Sequence, residues 1–341
     1  FTSKKGARNS PKYKCNKQIV IHWHILCYIQ LIKIYSININ LMLKIAHDKI
    51  YNHPLKENHR FPMIKYELIP EQLLIENTCN ENNFFSPGDI KDDIILLTHE
   101  YNYYDRLINQ KLEKKEIRAI GFPMSQKLIE REKKIIQGTV ECAMNSIKYG
   151  ISMNIAGGTH HAFTNRAEAF CILNDQAIAA NFLIKNGLSN RILILDLDVH
   201  QGNGTAEIFR ENKNVFTASF HGEKNYPFRK ETSDFDYGFN DGTSDKEYLK
   251  KIKYDVPRLI DSFEPDFIFY LSGVDIIEND KLGRLSVSIE GCKERDRFVL
   301  NYCKTNKIPV QVSMGGGYSP ILKDIIEAHS NTFRLAQEIY F

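Results

Sequence analysis

Asp196, Asp198 and His200 follow one another at two-residue spacing, directly after the apolar run Ile192-Leu193-Ile194-Leu195. Alternate residues of an extended chain share a face, so these three side chains point the same way at the end of what reads as a buried strand. A carboxylate there costs several kcal/mol unless it is paired or bound to a cation. Asp275, beyond the apolar stretch Phe267 to Leu271, is a further carboxylate that can join Asp198 and His200. Two carboxylates, one imidazole and an open position make the pattern of a catalytic divalent site, not a structural one. The donor set suits zinc, and iron(II) shares the preference. Asp196, one register back, is expected to orient a histidine or hold a monovalent cation.

The elements that would position these groups alternate strand with helix. Strands are predicted over 151–156, 191–198, 215–220, 267–271 and 309–314, with a first strand near Met42-Leu43-Lys44-Ile45. Helices are predicted over about 174–186, 245–260, 289–304 and 320–337. Residues 125–149 read as two helices or one kinked at Gly138. This alternation implies one α/β domain, a doubly wound, mostly parallel sheet flanked by helices. Ligands of such sheets sit at the carboxyl ends of the strands. Polar residues gather at those ends: His160-His161, Asp196 to His200, His221, Gly273-Val274-Asp275, and Gly315-Gly316-Gly317-Tyr318. Taken singly each is weak, since strand-end carboxylates often cap turns and most histidines do no chemistry; their convergence on one rim carries the argument.

Bulk properties set bounds. The chain has 341 residues and a net charge of +3. Its first 41 residues hold seven bases, Lys4, Lys5, Arg8, Lys12, Lys14, Lys17 and Lys33, and no acid. The remainder therefore carries 38 bases against 42 acids, a net charge of −4 that gives no basis for nucleic-acid binding. Residues 1–41 read as an N-terminal extension outside the fold, and 42–341 as the domain. The stretch 19–37 is apolar, but His22, His24, Gln30 and Lys33 interrupt it as a membrane span. Seven scattered cysteines without a CxxC pair fit a reducing, cytoplasmic compartment.

The segments Gly157-Gly158-Thr159-His160-His161-Ala162, Glu168 to Asp175, Asp196 to Gly204, Gly273-Val274-Asp275 and Gly315 to Tyr318 resemble, in order and spacing, the signatures of the zinc-dependent histone deacetylase family, with its arginase/deacetylase fold. The HQGNG form at 200–204, Ile120-Gly121-Phe122-Pro123 and His59-Arg60-Phe61-Pro62-Met63 resemble the class IV branch and its bacterial relatives. The likeness runs from about residue 42 to the end.

That resemblance implies specific roles. Asp198, His200 and Asp275 would hold zinc, with potassium expected beside Asp196, Asp198, His200 and Ser219. His160, backed by Asp196, and His161, backed by Asn203, would be the paired imidazoles. A carboxylate raises an imidazole's basicity whereas an amide only orients it, which makes His161 the general base. Zinc would polarise water and acyl carbonyl, and Tyr318 would donate to the oxyanion. Phe170 and Tyr226 would wall a tunnel for the acyl-lysine side chain, with Leu282 on its rim, Gly316 against the substrate and Arg60 along an inner channel beneath the metal. Ala169 stands where the family usually has Gly, and its methyl is expected to narrow the entrance or to shift the backbone carbonyl there, which bears on acyl-chain preference and not on the chemistry.

The implied activity is hydrolysis of acetyl or longer acyl groups from N-acyl-lysine of proteins or peptides. The alternatives are the same chemistry on a small acylated amine such as a polyamine, or a non-catalytic acyl-lysine binding module. An acidic gate at the tunnel mouth would favour the polyamine. A two-manganese, arginase-like site is disfavoured because Gln201 and Asn203 stand where further carboxylates would be needed.

Overall fold

A computed structural model describes Thr2 and residues 42–341 except Asn58; the expectations for residues 1–41, including a membrane or targeting segment, otherwise lie outside the described residues. Residues 42–341 form one compact unit. Eight strands form one sheet: β1 (Lys44–Ala46), β2 (Phe84–Phe85), β3 (Ile151–Asn154), β4 (Ile192–Asp196), β5 (Val215–Gly222), β6 (Phe235–Phe239), β7 (Phe267–Leu271) and β8 (Val310–Ser313). Their order is β2-β1-β3-β8-β7-β4-β5-β6, and every pairing is parallel. Strands of a parallel sheet are covered on both faces and so read as continuous apolar runs. All five residues of β4 and of β7 are accordingly buried.

The strand order creates the site. From β4 the chain crosses outward to β5, whereas from β7 it crosses the other way to β8. Connections leaving in opposite directions open a crevice beyond the carboxyl ends of β4 and β7, which are neighbours in the sheet. Register then aligns the ends: Asp196 pairs with Leu271 on one side and Ser219 on the other, Leu271 with Ser313, and Ser313 with Asn154. The residues that follow β3, β8, β7 and β4 in this row meet over the crevice.

Residues Gln126–Tyr149 form one continuous helix, so Gly138 is no break. It is small because the helix lies close to the sheet: a Cβ there would stand 2.5 Å from Tyr51 Oη and 2.9 Å from Asn154 Nδ2. Ser125 caps the helix start by accepting from Leu128 N–H at 3.1 Å, and Gly150, at φ 89°, ends it. Helices Asp175–Lys185, Asp245–Phe263, Ile289–Thr305 and Leu322–Tyr340 match the expected ones to within a few residues. Among the described residues no helix is long and apolar enough to cross a membrane.

Candidate active site

Beyond β4 the backbone carries Asp198 and His200 inward, and beyond β7 it carries Asp275 to meet them. Ligand atoms of these three buried residues lie within 4.8 Å of one another. His200 Nδ1 is 3.0 Å from both Asp198 Oδ1 and Asp275 Oδ2. Burial and repulsion from Asp198 push the Asp275 carboxyl up, against the pull of His200. Backbone approaches closely here, for a Cβ on Gly316 would stand 2.1 Å from Asp275 Oδ2. The residues therefore fit a divalent cation: two acidic donors, one imidazole, burial, and no bulk beside them.

The remaining oxygens are tied down. Asp198 Oδ2 accepts from Gly316 N–H at 2.8 Å, and Asp275 Oδ1 from Val199 N–H at 2.9 Å. Behind both strand ends lies Arg295, fully buried on the helix Ile289–Thr305, whose Nη1 donates to Leu197 O (3.1 Å) and Gly273 O (2.6 Å). Its charge is met by Asp296, which also accepts from Tyr270 and from Thr332 Oγ1 at 2.7 Å. One guanidinium thus fixes the carbonyls next to Asp198 and two residues before Asp275. Nothing in the sequence marked it, because Lys293-Glu294-Arg295-Asp296-Arg297 reads as a solvated helix face.

The paired imidazoles stand beside this cluster, their ring centres 4.1 Å apart. Asp175 sets the turn that delivers them, accepting from Thr159 N–H at 2.9 Å and from Thr159 Oγ1 at 2.8 Å. His160 Nδ1–H donates to Asp196 Oδ2 at 2.7 Å, and His161 Nδ1–H to Asn203 Oδ1 at 2.6 Å. Burial opposes charge on both rings, but the Asp196 carboxylate outweighs it and holds His160 above the ordinary imidazole value. His161 has only an amide behind it; burial, with repulsion from His160 and His200, drives it well below. Its Nδ1 proton engaged by Asn203, a neutral His161 leaves Nε2 as a bare acceptor.

Tyr318 closes the other side. Burial and the carboxylates of Asp198 and Asp275 push its phenol well above the usual value, so it remains a donor. Its backbone N–H donates to Asp280 Oδ2 at 2.6 Å, while Asp280 Oδ1 accepts from Leu282 and Gly283 N–H, both at 2.8 Å. Asp280 therefore couples the Tyr318 loop to the rim. Ser219 lies level with Asp196, its Oγ 3.0 Å from His221 Nδ1; His221 is buried there and lines neither of the two spaces that meet at Phe170.

Two spaces meet at Phe170, His161, His200 and Tyr318. The outer pocket, of about 520 Å³, includes Tyr226 and Leu282; the inner cavity, of about 40 Å³, includes His160, Asp198 and Gly316. Phe170 packs in an aromatic cluster, its ring centre 5.2 Å from Phe61 and 5.0 Å from Phe122. Ala169 and Phe170 both take left-handed backbone, φ 45° and 69°, and their N–H groups donate to Ala119 O at 2.9 Å and Ile120 O at 2.7 Å. Non-glycine residues in that region cost on the order of 1–3 kcal/mol each, so these bonds hold a conformation in which the wall's ring is fixed in place. Ala169 lines both spaces.

Arg60 is a correction. It does not reach the inner cavity; it is exposed on the outer pocket, its guanidinium 5.0 Å from the Phe170 ring centre. The reason is local. Phe61 N–H donates to His59 Nδ1 at 3.1 Å and Phe61 turns inward, so the preceding side chain turns out. The inner cations are Arg131, which lines the cavity, and Lys65, fully buried against Phe61, Tyr66 and Tyr318 and donating to Gly315 O at 3.1 Å. Burial brings the Lys65 ammonium down to about 8, against the pull of Asp275 and Asp198.

Comparison with known proteins agrees with this geometry. The family model described as the histone deacetylase domain matches residues 56–333. An uncharacterized protein of Picosynechococcus is 39% identical over 290 residues, covering 85% of this chain and 97% of that one. Histone deacetylase 2 of Arabidopsis thaliana is 26% identical, covering 80% and 74%. Among solved structures, an HDAC homolog from Aquifex aeolicus superposes with a TM-score of 0.73 at 22% identity, covering 86% of this chain and 84% of that one. The extent of the family match makes the assignment: this chain belongs to the histone deacetylase family, as a deacetylase of the arginase/deacetylase fold.

Proposed function

We propose that the chain is a zinc-dependent amidohydrolase that removes acyl groups from N-acyl-lysine side chains. The observation that carries this reading is the meeting, at the base of one pocket, of the Asp198–His200–Asp275 cluster, an asymmetric histidine pair and Tyr318. Asp198, His200 and Asp275 would hold the zinc, and Asp196 with Ser219 would contribute to a potassium site. Bound there, zinc supplies Lewis acidity to the attacking water and to the acyl carbonyl.

The chain's own residues do the rest. His161 Nε2 accepts a proton from the water, its other nitrogen kept as a donor by Asn203. His160, whose charged form the Asp196 carboxylate favours, offsets negative charge as it develops. Tyr318 donates its phenolic proton in a hydrogen bond to the oxyanion forming at the acyl carbon. The proton taken up by His161 then passes to the leaving lysine nitrogen as the C–N bond breaks. Phe170 and Tyr226 bury the lysine methylenes, and Leu282 stands at the rim.

Intact Asp275, His161 and Tyr318 distinguish this reading from a binding module. A zinc-loaded sample offered an acetyl-lysine peptide is expected to release the free lysine form; binding without turnover would leave only the module. A panel of acetyl-, short-acyl- and myristoyl-lysine peptides then fixes the acyl length.

A further inference from the structure

Four cations line the outer pocket, Arg60, Lys224, Lys281 and Arg284, against a single carboxylate, Glu168. That carboxylate is already engaged: Oε1 accepts from Arg166 Nε at 2.8 Å, and Oε2 from Tyr226 OH at 2.7 Å. Just outside, Asp241 lies 3.9 Å from Lys224 and 3.3 Å from Arg284. Counting Arg166 and Asp241 with the lining, five cations face two carboxylates, on a domain whose overall balance is negative. Lys224 and Arg284 hold their side chains 70% and 53% exposed, and Lys281 makes no ion pair among the described residues. The mouth therefore presents a positive field to whatever carries the acyl group, and among the described residues its lining offers no unpaired carboxylate to receive an ammonium.

We infer that this mouth selects acyl-lysine segments flanked by acidic residues and disfavours acyl groups carried on small cationic amines. The inference rests on the acyl-lysine reading above and deepens it. Charges outside the tunnel cannot touch the reacting carbonyl, so they act on encounter and docking, which appear in kcat/KM and in salt dependence while kcat stays nearly constant. Exposed charges are screened over about 10 Å at 0.1 M salt, which fixes the conditions of the test.

The test compares acetyl-lysine peptides of equal length with Asp/Glu, uncharged or Lys/Arg flanks, together with acetylated putrescine, using zinc-loaded full-length protein at low and high salt. Binding of labelled peptides is followed in parallel by fluorescence anisotropy. The expected order of kcat/KM is acidic, uncharged, basic, with about a tenfold span at low salt that collapses in high salt. Lys224→Glu, Lys281→Glu and Arg284→Glu together should invert it; Lys281→Glu alone, at a site with no ion pair to lose, should shrink it if the triple variant folds poorly. Equal kcat/KM for all flanks at low salt, or a preference that persists in a folded variant, overturns the inference. If nothing turns over yet acidic peptides bind tighter in a salt-dependent way, the hydrolase reading fails and the mouth's selectivity stands.

Discussion

Asp198 and Asp275, at the floor of the pocket, are held by backbone N–H groups of Gly316 and Val199, while Lys224, Lys281 and Arg284, at its mouth, stand largely in solvent. The floor grows from strand ends whose register the whole sheet sets, and Arg295 clamps the adjoining carbonyls from behind. The mouth is built on loops, with Asp280 tying one of them to Tyr318. A site assembled in this way confines all-or-none chemistry to groups with no freedom to move. Graded preference is left to groups that can change without disturbing the fold.

That contrast can be broken at the floor first. Asp275→Asn is expected to reduce bound zinc from one equivalent to near none, and activity with it; retention of full zinc by elemental analysis would show that the floor does not need its second carboxylate. Arg295→Met leaves the Asp296 charge buried without its partner, a change expected to cost about 3–5 kcal/mol of stability, read by denaturant unfolding. Lys281→Gln at the mouth should fall within about 0.5 kcal/mol of wild type in the same measurement. Similar losses for both would erase the distinction. Tyr318→Phe should lower kcat by about 10²–10³ with zinc content unchanged.

The smallest expected effect concerns the two histidines. Asn203→Asp places a carboxylate behind His161, stabilising its charged form and raising its pKa. Because the base must be neutral, the acidic limb of kcat/KM against pH should move to higher pH by about one unit. An unmoved limb would mean that His161 is not the group titrating there.

Part of the floor was legible in the sequence: an apolar run read as a strand with acidic groups at its end, and Asp198, His200 and Asp275 do come together. But β4 stops at Asp196, short of the expected 198, so it is the irregular turn after the strand, and not period two within it, that brings Asp198 and His200 inward. The His160–Asp196 and His161–Asn203 pairs also formed as the resemblance implied. Lys65, Arg131 and Arg295 were not legible, since a charged residue in a helix reads as solvent-facing and only the packing of that helix reveals a buried one. Arg60 was misplaced for a related reason: its neighbour Phe61 takes the inward position, and one residue of offset reverses the face. The two-residue strand β2 is too short for any period to register. At Gly138 a helix breaker was expected, but the close approach of Tyr51 to an unbroken helix explains the glycine.

The central claim is that this floor, once metal-loaded, hydrolyses acyl-lysine. Its most direct test is the release of free lysine peptide from an acetyl-lysine peptide by the wild-type chain, before and after addition of one equivalent of zinc, with Tyr318→Phe as the paired control. Zinc-dependent release by wild type, falling by about 10² or more in the control, is the predicted result. No release by folded, zinc-loaded wild type, or equal release by both proteins, would contradict it.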